Sequence, residues 1–76
     1  MALGNLGRYQ EAIASYDKAL AIQPSDYYAW YNRGIALGYL GRYEDAIASY
    51  DKVLAIKPND YQAWYKRGIA LDDLGR

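Results

Sequence analysis

Few side chains in this sequence could do chemistry. Asp72 and Asp73 stand side by side, Ser15 and Ser49 each precede a tyrosine (Tyr16 and Tyr50), and seven glycines are spread over 76 residues. Paired carboxylates can divide acid and base roles, a serine can attack a carbonyl if a base takes its proton, and glycine-rich loops can cradle phosphate. None of these arrangements is complete here. Neighbouring side chains on a helix point about 100° apart, so Asp72 and Asp73 form no dyad. Arg76, at i+4 and i+3 from them, reads as their partner in a solvated charge pair. There is no His and no Cys, and helical spacing brings no base near either serine. An ordinary zinc site and a disulfide are excluded on the same ground. Gly4, Gly7, Gly34, Gly38, Gly41, Gly68 and Gly75 follow a repeat and not a strand-to-helix turn. The expectation is a chain without catalysis, cofactor or metal.

Nine Lys and Arg balance nine Asp and Glu, which removes the electrostatic reason to expect nucleic acid or an anionic membrane as partner. Tyrosines could stack on bases, as in helical repeats that read RNA, but the charge balance opposes it and packing accounts for most of them. No apolar run approaches the roughly 20 residues of a membrane span, and Met1 is not followed by a basic segment and an apolar core. The default expectation is a soluble, intracellular protein. Hydrophobic residues make up 53% and aromatics 16%, so this is not a disordered tail. A single small domain of this length usually needs a staple, and with disulfide and zinc excluded the staple to look for is a partner.

The elements that position these residues come from a repeat. Trp30 and Trp64 are 34 residues apart, as are Pro24 and Pro58, and Gly7, Gly41 and Gly75 add two further steps of 34. Arg8–Asp26 aligns with Arg42–Asp60 with five differences in 19 positions, and Tyr27–Arg42 aligns with Tyr61–Arg76 with four in 16. Within Tyr43–Ile56 the apolar positions Tyr43, Ala46, Ile47, Tyr50, Val53 and Leu54 follow the spacing of one helical face, with Ala48 pointing away from it. Gly41 can take the left-handed conformation that closes the preceding helix. Pro58 lacks an N–H and disfavours helix at Lys57, so that helix should end near Ile56. Ser25 with Asp26, and Asn59 with Asp60, offer oxygens to cap the helices that follow. Gly34 and Gly68 read as places of close helix approach. The predicted helices cover about 9–22, 27–40, 43–56 and 61–74.

With Trp30, Gly34, Ala46, Tyr50 and Pro58 at a period of 34, the sequence resembles the tetratricopeptide repeat family over its whole length. Arg33 and Arg67 depart from it where Leu is common, and Leu37 and Leu71 depart where Tyr is common. An Arg stem can still lie along a seam with its head in water. The resemblance implies an all-α helix–turn–helix solenoid of four main antiparallel helices. It would be one module, with residues 1–26 a partial first repeat, 27–60 a complete one and 61–76 the first helix of a third. Two-helix units of this kind stack to share a core and form a superhelix with a concave groove. By the resemblance, the helices opening at Tyr27 and Tyr61 line the groove, and those opening at Tyr9 and Tyr43 form the outside.

The implied function is a non-catalytic scaffold that binds a protein or peptide in that groove. Its inventory is Tyr28, Tyr31, Asn32, Ile35 and Tyr39 from one helix and Gln62, Tyr65, Lys66, Ile69 and Asp73 from the other. The repeats differ at Tyr28/Gln62, Asn32/Lys66, Gly38/Asp72 and Tyr39/Asp73, all toward one side of the helix. Ala29/Ala63, Arg33/Arg67, Ala36/Ala70 and Leu37/Leu71 are shared and fall on the seams. Selection for binding and drift on an exposed surface both produce this pattern. Tyrosine supplies broad contact and a hydroxyl at small entropic cost. Relatives that grip acidic C-terminal chaperone tails use an Asn, which Asn32 matches, and basic residues, one of which Lys66 matches. Gln62 departs from that clamp, and its first groove helix is nearly absent from this sequence.

The alternative expectation is a self-associating structural unit. The sequence holds two periods and eight residues more, and Met1–Arg8 parallels Ile69–Arg76. The helix at 9–22 would then lack a partner over Ile13, Tyr16 and Leu20, and the helix at 61–74 over Leu71 and Leu74. These faces should join copies head to tail, or exchange terminal helices, with the stub Met1–Leu6 competing for part of the site.

Overall fold

A computed structural model describes the backbone of residues 3–75 and the side chains of residues 7–75. Four helices follow one another: α1 (Leu3–Ile22), α2 (Tyr27–Tyr39), α3 (Tyr43–Ile56) and α4 (Tyr61–Leu74). The described residues include no strand. Short turns make each helix the antiparallel neighbour of the next. Of the helix pairs not adjacent in sequence, only α2 and α4 touch among the described residues. The result is a slab of 35 × 34 × 15 Å.

Local chemistry sets the helix ends. The Asp26 carboxylate accepts from the Ala29 N–H at 3.2 Å, and Asp60 repeats the cap on Ala63 at 3.1 Å. At the end of α2 the Arg42 N–H donates to the Leu37 carbonyl at 2.9 Å and the Gly41 N–H to that of Gly38 at 3.0 Å. That pair of bonds needs the left-handed Gly41, whose φ is 79°. The helix at 43–56 ends at Ile56, one residue before Lys57–Pro58, as the proline requires. Each Trp indole N–H donates back to the carbonyl of the proline six residues earlier, Trp30 to Pro24 and Trp64 to Pro58, both at 2.9 Å. The two landmarks of the repeat are therefore bonded to each other.

One boundary differs from expectation. The first helix begins at Leu3, not near residue 9, and runs through Gly7 without a break. Gly41 and Gly75 have positive φ and Gly7 does not, although all three follow a leucine. Glycine lowers the cost of the left-handed stop, but a chain reversal is held by the two helices packing on each other. At Gly7 the backbone keeps its helical conformation. The pairing of Arg76 with Asp72 and Asp73 lies outside the described residues.

The core joins Ile13 of α1, Ala36 and Leu37 of α2, Ala46 and Tyr50 of α3, and Ala70 of α4, with Tyr9, Tyr31, Leu40 and Ile47 packed around them. Ala46 is buried and Ala48 exposed, as the face pattern required. Gly34 is indispensable to the α2–α3 approach: a Cβ there would lie 2.6 Å from the Tyr50 ring. Gly68, its counterpart on α4, has nothing within 4 Å of the same point.

Candidate functional site

Between α2 and α4 the slab opens into a hollow of about 420 Å³ floored by α3. The helices on either side touch only slightly, so the space between them is filled from behind by Tyr43, Ala46 and Tyr50. Ile35, Gly38 and Tyr39 form the α2 wall, and Lys66, Ile69, Ala70 and Asp73 the α4 wall. The assignment of the helix at 43–56 to the outside alone therefore needs correction. Tyr43, Ala46 and Tyr50 line the hollow's floor, Ala46 and Tyr50 while themselves buried.

Five of the ten expected groove residues, Ile35, Tyr39, Lys66, Ile69 and Asp73, line this hollow. The other five do not. Tyr31 is half-buried and packs its ring 5.9 Å from that of Tyr50. Tyr28 stacks on Tyr27 at 4.7 Å, and Tyr65 on Tyr61 at 6.2 Å, both near the starts of their helices and largely exposed. Gln62 is exposed and Asn32 half-buried beside them. Sequence reading missed the floor because Tyr43, Ala46 and Tyr50 sit on a regular apolar face. Nothing in that pattern says whether the neighbouring helices cover it.

The hollow has an apolar floor and two charges on its α4 wall. Burial, then the nearby Tyr31 and Tyr39, pushes the Tyr50 hydroxyl up to about 12, so it stays a neutral donor and acceptor. Burial and the Asp60 carboxylate raise Tyr31 as well. Lys66 and Asp73 make no ion pair among the described residues. They are seven positions apart on α4, about 10 Å along its axis, and carry opposite signs.

The seams carry a second polar feature. Arg33 crosses from α2 to both neighbours, its Nε bonding the Asp17 carboxylate at 2.7 Å and its Nη1 the Ser49 hydroxyl at 2.8 Å. Its guanidinium lies 5.8 Å from the Trp30 ring, and the Lys52 ammonium lies 5.7 Å from that ring. Arg67 repeats the first bond on Asp51 at 2.7 Å and the contact to Trp64 at 5.9 Å. An arginine 16 residues after an aspartate in both periods was the sequence signal for this pair. Ser49, a candidate for chemistry by type, is fully buried with its oxygen accepting from Arg33, and its role is structural.

The expected self-association faces divide. Ile13 and Leu20 are each only 8% exposed, covered by α2, which corrects their assignment to an open face. An apolar residue on α1 belongs to whichever neighbour is present, and α2 takes both. Tyr16, Leu71 and Leu74 remain partly exposed. The described residues include no group of His, Cys, Asp and Glu able to hold a metal, and no helix long and apolar enough to cross a membrane.

A comparison with curated proteins finds no match. The profile of the tetratricopeptide repeat matches residues 1–60 and again residues 31–76. The two overlapping matches span the chain, and the four helices, with the Asp26 and Asp60 caps and the repeated Trp–Pro and Arg–Asp bonds, give them physical content. The chain belongs to the tetratricopeptide repeat family, whose members are generally non-catalytic scaffolds for protein–protein interaction.

Proposed function

We propose that the chain binds an extended peptide segment of a partner protein in the hollow between α2 and α4. The observation that carries this reading is the apolar floor of Ala46 and Tyr50 beside two opposite charges on one wall, neither of them ion-paired among the described residues. Lys66 suits an acidic side chain and Asp73 a basic one. Their separation of about 10 Å matches three residues of extended chain at about 3.3 Å each. An apolar side chain between them would reach the floor and stack against Tyr39 or Tyr43. Asn32 and the exposed Tyr28, Tyr65 and Gln62 would extend the contact toward the helix starts.

Fluorescence of Trp30 and Trp64 during titration with short peptides tests the reading. Peptides with an acidic and a basic residue flanking an apolar one should bind better than all-acidic or all-basic versions. Lys66→Glu should move the preference to the all-basic set, and Ile69→Ser should weaken every binder. Equal binding of all three sets by Lys66→Glu and the parent chain would discard the hollow as the site.

A second reading, association of the chain with copies of itself through its terminal helices, is favoured by one observation. Trp64 is 53% exposed, whereas its counterpart Trp30 is half-buried.

A further inference from the structure

The α2–α3 seam is a worked pattern for a contact whose two halves also stand, unpaired, at opposite ends of the chain. In the seam, α3 presents Ser49, Tyr50 and Lys52. Ser49 accepts from Arg33, the Tyr50 ring fills the space over Gly34, and Lys52 faces Trp30. The residues 34 positions away are of identical type at all six places. On α4 these are Arg67, Gly68 and Trp64, and on α1 they are Ser15, Tyr16 and Lys18. Both sets are open. Ser49 is fully buried and Ser15 exposed; Gly34 is buried and Gly68 exposed; Tyr50 is 3% exposed and Tyr16 half-buried. Arg33 bonds two helices, whereas Arg67 bonds Asp51 alone.

We infer that α4 of one copy receives α1 of a second copy in the geometry of the α2–α3 seam. This deepens the self-association reading and rests on it. Arg67 completes its fork on Ser15 of the second copy, the Tyr16 ring lies over Gly68, and Lys18 comes over Trp64. The second copy is the fitting occupant because the polar and steric complement of the α4 face is spelled out on α1, down to the glycine that accepts a tyrosine ring. The surface of α1 used here is not the one already spent on α2, since Ile13 and Leu20 lie inside the chain. Joining α4 of each copy to α1 of the next is a heterologous contact that leaves a free end at each step. The product is an open, growing solenoid with a continuous concave side.

The test exploits Gly68. A side chain there meets nothing in the single chain, but in the joined form it would strike the Tyr16 ring as a Cβ at Gly34 would strike Tyr50. Light-scattering mass is followed across concentration for the parent chain, Gly68→Leu and Ser15→Lys, with circular dichroism confirming that each variant folds. The parent should rise from 8.6 kDa to at least about twice that. Both variants should stay near 8.6 kDa, with association weakened at least about tenfold. Mixed together, Gly68→Leu (open at α1) and Ser15→Lys (open at α4) should form a one-to-one pair and stop there. A parent that stays at 8.6 kDa at every concentration overturns the self-association reading and this inference with it. A parent that associates while Gly68→Leu associates equally leaves self-association standing and overturns the assigned contact.

Discussion

Helices α2 and α4 differ at few positions, yet they live in different surroundings. Both are capped by an aspartate, both tie their tryptophan to a proline carbonyl, and both anchor an arginine on the helix before. The first is enclosed by α1 and α3; the second rests on α3 with its far side open. Leu37 is fully buried and Leu71 partly exposed. The same sequence therefore makes the same helix in both places, while burial depends on which neighbours are present. In a solenoid, local signals define the element and the stack supplies most of its stability.

That contrast can be broken experimentally, and the largest effect should come from the matched leucines. Leu37→Ala should cost about 2–5 kcal/mol by leaving a cavity, and Leu71→Ala about 1 kcal/mol because its site is already partly wet. Urea unfolding of the two variants measures the difference, and equal midpoints would deny that α2 is enclosed and α4 is not. The matched glycines should differ in sign. Gly34→Ala forces a methyl against the Tyr50 ring and should cost about 1–3 kcal/mol. Gly68→Ala meets open space and should stabilise α4 by about 0.5–1 kcal/mol. Thermal melts at low concentration, where copies do not meet, read both.

A pH titration sharpens the view of the closed seam. Tyr50 keeps its proton to about 12 in the folded chain, above the usual value near 10. A raised pKa of this kind contributes stability that is complete below pH 10 and is lost as pH rises through 12. The parent chain should therefore weaken between those values by up to about 2 kcal/mol more than Tyr50→Phe does. Denaturant titrations at pH 9 and pH 11.5 compare them. Parallel losses in the two chains would mean that Tyr50 is not held in a dry environment.

The helices were legible because their ends are written in local chemistry: Asp26 and Asp60 as caps, Gly41 as a stop, Pro58 as a limit. The start of the first helix, expected near residue 9, was not legible because a glycine such as Gly7 permits a left-handed stop without enforcing one. The hollow was half legible. Ile35, Tyr39, Lys66, Ile69 and Asp73 could be placed in a groove by the resemblance together with helical spacing. The floor could not, since whether Tyr43 and Tyr50 are hidden or seen depends on the width left between α2 and α4. For the same reason Ile13 and Leu20 looked available in the sequence and are covered in the fold.

The bond from each indole N–H to a proline carbonyl also gives every turn its own reporter. An indole proton held at 2.9 Å exchanges with solvent only when its turn opens. Two such protons, resolvable as separate signals, would time the opening of the Pro24 and Pro58 turns independently within one molecule. Propagation of order along the stack could then be watched as a delay between two clocks, without adding a label to the chain.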